Sequence, residues 1–156
     1  MYRSPGGARY VLLDRVGAQD NPAVSPDGSY VADQSTDSGR YEVYVRPFPS
    51  GAGQWQVSLG GGSDPRWSAR GDKLWFRAYG NVLMEVEVTS AGGTFAFGEP
   101  REVFKGDPIA VDLTLGFAVL GDGERFIAAR RAADPDGSLP SVTVVQNWFA
   151  EFANKR

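Results

Sequence analysis

Three stretches of this chain repeat one phrase at wide spacing, and no other feature limits its fold as strongly. The copies read PAVSPDGSYVA from Pro22 (after Asn21), PRWSARGDKLWF from Pro65 and FAVLGDGERFIA from Phe117. Each holds a short strand, a tight polar turn closed by a glycine (Gly28, Gly71, Gly123) and a second strand. The turn glycines stand 43 and 52 residues apart. A period of about 40–50 residues built only from short strands predicts a β-propeller, in which each blade is a small antiparallel sheet stacked on its neighbours. The expected fold is all-β: about three four-stranded antiparallel blades, half the number needed for a six-bladed ring.

Alternation and turn chemistry place the strands. In Ser25-Pro26-Asp27-Gly28, proline presets an early turn position, Asp27 can accept backbone amides, and Gly28 can take the positive φ that closes the hairpin. Residues 42–48 (EVYVRPF) alternate, with Val43 and Val45 on one face, and Trp55 to Leu59 alternate again. Blade 1 is therefore expected over about 22–59. Blade 2 repeats the grammar over about 65–104, with Gly80-Asn81 as its central hairpin, both residues tolerating left-handed backbone. The Gly-rich stretch 89–100 reads as a long outer loop. Blade 3 spans about 116–146 and lacks one strand, while 10–13 (YVLL) is a spare strand at the N-terminus that would complete it. The turns at 37–40 and Gly80-Asn81 are expected on one face of the fan, and the crossovers near 60–64 and 107–114 on the opposite face.

Composition excludes several chemistries. The chain of 156 residues contains no histidine and no cysteine, which removes the commonest general base, thiolate nucleophiles and disulfides. A net charge of -3 with scattered charges gives neither a nucleic-acid footprint nor a polybasic membrane patch. No apolar run is long enough to span a membrane, and the first twenty residues lack the apolar core of a signal peptide. The segment is expected to be soluble, without a targeting signal of its own and without direct membrane contact, and its compartment is left open.

The sharpest local motifs read as structure. Ser25 has no histidine to activate it, and Lys73, Lys105 and Lys155 sit in no recognisable partnering motif, so Ser25-Pro26-Asp27-Gly28 reads as a turn. Gly60-Gly61-Gly62-Ser63-Asp64-Pro65 lacks the lysine and the following helix of a phosphate loop and reads as a crossover between blades. The aspartates, Asp20, Asp27, Asp33, Asp37, Asp64 and Asp72 among them, lack the spacing of a calcium loop. Two carboxylates facing each other across a channel would be the basis of a rival hydrolase or lyase reading. Trp67 and Trp75 are expected to fill space between blades, with ligand stacking as the alternative for Trp55 or Trp67. The closing segment 147–152 (NWFAEF) is expected to pack on an outer blade surface, with partner docking as its alternative. No catalytic, cofactor-binding or metal-ligating residue is assigned, and no cofactor is expected.

Residues 21–45 (NPAVSPDGSYVADQSTDSGRYEVYV) resemble the WD40-like repeats of the TolB type, often called PD40 repeats. The runs 39–49, 53–58 and 60–68, with the closing 144–149 (VVQNWF), resemble more specifically the last propeller blades of bacterial proteins that carry a serine/threonine kinase domain, usually followed by a membrane span. No kinase glycine loop, HRD or DFG motif is present here. The Pro-Asp of the phrase is lost at Ala69-Arg70 and Leu120-Gly121. The resemblance implies a non-enzymatic module for protein interaction or ligand sensing, within a larger propeller or self-assembling, with no family catalytic residues to carry over. A membrane-anchored parent would place it outside the cytoplasm. The expected partner is a protein or a second copy that closes six blades, and not nucleic acid.

Overall fold

A computed structural model describes residues 2–3, 9–10, 17–91, 94–106, 113–121, 125–129 and 142–145. Among them the chain is all-β, its one helical element being a three-residue 3-10 turn at Leu113–Leu115. A two-stranded pair, β1 (Tyr2–Arg3) and β2 (Arg9–Tyr10), precedes three antiparallel sheets. The first sheet runs in chain order through β3 (Gln19–Val24), β4 (Tyr30–Ser35), β5 (Glu42–Pro47) and β6 (Trp55–Gln56). The second contains β7 (Ser63–Trp67), β8 (Lys73–Ala78), β9 (Val82–Ala91), β10 (Thr94–Phe97) and β11 (Arg101–Lys105). The third contains β12 (Phe117–Val119), β13 (Phe126–Ala129) and β14 (Val142–Val145), paired in that order. Short meandering sheets stacked face to face are the blades of a β-propeller.

Two apolar layers hold the stack. Alternation sends Tyr30, Ala32, Val43 and Val45 of the first sheet against Leu74, Phe76, Val86 and Val88 of the second. The opposite face of the second sheet sends Trp75, Leu83 and Val103 against Phe117, Phe126 and Ala128 of the third. On β8, Leu74 and Phe76 therefore face one neighbour and Trp75 the other, as period-2 geometry requires. Each large side chain buried this way contributes roughly 1.5–3 kcal/mol.

Within the stretch expected as an outer loop, 89–100, the described residues 89–91 and 94–97 are strand. β9 runs on to Ala91 and pairs with β10 through Phe97↔Val88, Ala96↔Thr89 and Phe95↔Ser90. The reason is a short alternation in Thr94-Phe95-Ala96-Phe97. Phe95 is buried in the first apolar layer, 5.1 Å from the Tyr30 ring and 5.0 Å from that of Trp55. The fourth strand of blade 1 is shorter than expected. After Gln56, Val57 and Ser58 still donate to the Val43 carbonyl, and Leu59 then leaves the sheet fully exposed. Tyr10 pairs with Tyr2, while positions 11–13 and the closing segment 147–152 lie outside the described residues.

The turn glycines adopt the conformation that motivated them. Gly28 has φ 73° and Gly71 φ 75°. A Cβ at Gly28 would meet nothing within 4 Å, and one at Gly71 only Pro26, at 3.5 Å. Strain there is backbone strain and not a clash. Gly28→Val and Gly71→Val are each expected to destabilise the fold by about 1–3 kcal/mol, measured by urea denaturation. A loss below a few tenths of a kcal/mol in both would remove the φ argument.

Candidate functional site

The first strand of each of the first two blades carries, near its start, an Asx residue placed before a proline. Asn21 (φ 51°) and Asp64 (φ 56°) are left-handed, a conformation that Asn and Asp tolerate better than other side chains. The β3–β4 register breaks between Asp20 and Ala23, and the β7–β8 register between Ser63 and Arg66, so each blade starts with a bulge. Bulges of this kind re-aim side chains, and here they direct two equivalent residues toward each other. Asn21 Nδ2 donates to Asp64 Oδ1 at 2.8 Å and to Gln34 Oε1 at 3.2 Å. The Asp64 backbone N–H donates to the same Gln34 Oε1 at 2.9 Å. Arg77 closes the latch, with Nε and Nη2 each 3.1 Å from Asp64 Oδ2. Gln34 and Arg77 hold the same place, next to the last residue of the second strand, in successive blades. In blade 3 the corresponding positions are Gly116, whose φ of 109° is again positive, and Ala129, and neither carries a polar side chain.

The glycine crossover sits directly on this latch. Gly60 and Gly61 donate their backbone N–H groups to Glu42 Oε1 at 3.1 and 2.9 Å, and Gly62 donates to the Tyr41 carbonyl at 3.0 Å. Consecutive amides of this kind form an anion-binding nest. Here the anion is the protein's own Glu42, fully buried and also bound by Arg40 Nε and Ser58 Oγ. The amides that a phosphate would need at Gly60 and Gly61 are occupied. The Tyr79 ring lies over Gly61, where a Cβ would come within 2.2 Å of it.

The expected separation of the two kinds of connection is corrected. The crossover 60–64 touches Tyr41 and Glu42 beyond the first turn, and together with Tyr79 in the second it lines one cleft. Crossover and central turns share a face. Strand parity is the reason: the second and the fourth strands of an antiparallel blade end on the same side. The shared cleft, about 170 Å³, is lined by Gln34, Tyr41, Ser63, Arg77, Tyr79 and the Gly62 backbone. A second cleft of about 210 Å³, lined by Leu59, Phe76, Met84 and Pro100, shares Ala78 with it. On the rim, Tyr41 Oη donates to Asp20 Oδ2 at 3.0 Å, a bond that raises the phenol pKa above its usual value.

The other residues weighed from the sequence are placed away from this cleft. Ser25 Oγ donates to Asp27 Oδ1 at 2.6 Å and accepts the Tyr30 N–H at 2.9 Å, and this serine bond lowers the Asp27 pKa. Ser68 Oγ does the same with Asp72 at 2.7 Å and Lys73 N at 3.1 Å, so a carboxylate moved beyond the glycine replaces the lost Pro-Asp. Lys73 Nζ binds Glu85, which also accepts Trp75 Nε1 and Arg101. Burial pushes the Glu85 carboxyl up, but the bonds from Arg101 and Lys73 outweigh it and leave the pKa below the ordinary value. Asp33, in contrast, is raised by burial against the opposing pull of Arg46. Trp67 Nε1 donates to the Ala23 carbonyl across the blades, and Trp55 packs on Phe95.

No family model matches the chain, and no curated protein matches it. Solved structures do match. One is a candidate 6-phosphogluconolactonase from Bacteroides uniformis ATCC 8492, at 17% identity and a TM-score of 0.51, over 86% of this chain and 43% of that one. TolB from Acinetobacter baumannii is similar at 17% identity and a TM-score of 0.47, over 91% and 44% of the two chains. The Cps50 (Swd1) β-propeller domain from Myceliophteria thermophila is similar at 10% identity and a TM-score of 0.48, over 84% and 44%. The chain spans less than half the length of each. At 17% identity and a TM-score of 0.51 the likeness to the first is one of fold alone, and the stacked antiparallel sheets of this chain are themselves the blades of a β-propeller.

Proposed function

We propose that the chain is a non-enzymatic β-propeller module for protein interaction or ligand sensing, working as part of a larger propeller or completed by a second copy. The observation that carries this reading is the crossover rim. Two clefts meet there beside exposed Tyr79 (61%) and Leu59 (83%), while Glu42 and Asp64 are each held by several donors of the fold. A surface of aromatic and apolar groups with its carboxylates already engaged suits binding better than acid–base chemistry between two carboxylates. The PD40 resemblance extends the reading to the propeller tail of a membrane-anchored bacterial kinase, where the module would face the extracytoplasmic side.

For the self-assembled form, residues 10–13 complete the third blade of the other subunit and two copies close six blades. Light scattering at micromolar concentration is then expected to give twice the 16.8 kDa chain mass, and deletion of residues 1–16 to return it to a monomer. A stable full-length monomer rules out the two-fold ring and leaves the larger propeller.

A further inference from the structure

The latch leaves two hydrogen-bond donors unused in the cleft between blades 1 and 2. Gln34 is 8% exposed, and its Oε1 accepts both Asn21 Nδ2 and Asp64 N. Those bonds fix the amide orientation, because only the oxygen end can accept them. Its Nε2 has no hydrogen-bond partner among the described residues, although the side chain lines the cleft. Arg77 spends Nε and Nη2 on Asp64 Oδ2, and its Nη1 has no partner among the described residues either. Both donors open on the same cleft, an amide N–H beside a guanidinium edge, and together they form a site for a hydrogen-bond acceptor.

We infer that this cleft binds the side-chain carboxamide of an Asn or Gln from a partner polypeptide. The inference deepens the interaction reading above and rests on it. A carboxamide carbonyl accepts from Gln34 Nε2 and Arg77 Nη1, and its amide group can donate to Ser63 Oγ on the cleft wall. A carboxylate suits the donors but not the charge: Asp64 already balances Arg77, and Asp20 adds a further negative charge at Tyr41. Size agrees, because a cavity of about 150 Å³ accommodates one ring-sized group and this cleft has about 170 Å³. The adjoining apolar cleft beside Leu59 takes a neighbouring aliphatic side chain of the same peptide.

The test titrates the full chain with the blocked tripeptide acetyl-Leu-Gly-Gln-amide and follows the Gln34 side-chain amide resonance by NMR. A saturable shift is expected, and acetyl-Leu-Gly-Glu-amide should bind at least about tenfold more weakly. Gln34→Glu keeps an oxygen for Asn21 and Asp64 N but replaces the donor with a charged acceptor, so it should lower affinity at least about tenfold. Leu59→Ser lies on the surface, keeps the fold, and should weaken binding as well. Light scattering on each variant should give the unmutated mass, so a failure of this site is distinguishable from a failure of the assembly reading. The inference is overturned if the Gln34 resonance does not move, if the Glu peptide binds as tightly, or if both variants bind like the parent.

Discussion

Phe95→Ala is expected to destabilise the protein by about 3–5 kcal/mol, the range for deleting a buried aromatic ring. Phe95 is 4% exposed and sits among four other rings: Trp55 at 5.0 Å, Tyr30 at 5.1 Å, Phe97 at 5.8 Å and Trp67 at 6.4 Å. Its removal leaves a cavity between two blades and detaches the β9–β10 hairpin from the core. At a few degrees per kcal/mol for a chain of this size, the melting temperature should fall by roughly 6–20 °C. Tryptophan emission should shift red as Trp55 and Trp67 lose their cover. Ala96→Ser, on the exposed face of the same strand, serves as the control and should change little. A Phe95→Ala loss below about 1 kcal/mol would mean that the hairpin hangs outside the core.

That hairpin also marks where the sequence was harder to read. The blade period, the glycine turns and the alternating strands were legible because each depends on local chemistry: proline, glycine and period-2 patterning. Thr94-Phe95-Ala96-Phe97 carries the same alternation, but it is four residues long and flanked by Gly and Ser, so its pattern is weak against a loop-like composition. The crossovers differ in kind, since strand parity alone puts them beside the central turns. The candidate site was only partly visible. Asn21-Pro22 and Asp64-Pro65 stand 43 residues apart in plain view, yet their contact depends on two bulges that bring equivalent residues face to face. Nothing local to Gln34 or Arg77 predicts that the Gln34 oxygen and two Arg77 nitrogens would be spent in the latch and one donor of each left in a cleft. The glycine crossover was read as structural from its flanks, while the carboxylate that fills its nest, Glu42, comes from a strand some eighteen residues earlier.

Arg46→Met is expected to cost about 3–5 kcal/mol at neutral pH, because it strands a buried charge. The Arg46 side chain is fully buried, with Nε 3.1 Å from Asp33 Oδ1, Nη2 3.6 Å from Asp37 Oδ2 and Nη1 on Gln54, and it stacks over the Tyr44 ring. Methionine retains much of the volume, so most of the loss is electrostatic. The pH dependence follows from Asp33. Burial raises its pKa, and Arg46 is the group pulling it back down. A carboxyl with a raised folded pKa favours the fold below its unfolded value, and that contribution is lost as pH rises through the folded value. Without Arg46 the pKa climbs further. The deficit of the variant should therefore shrink as pH falls from neutrality toward the ordinary aspartate value of 3.8, where Asp33 is protonated and no charge is stranded. Urea denaturation of parent and variant across that interval reads the difference directly. Adding Asp33→Leu to Arg46→Met should recover much of the loss at pH 7, since removing both partners avoids the unpaired charge. A deficit that stays constant with pH, joined to a double variant no more stable than Arg46→Met, would show that the arginine acts through packing and not through its charge.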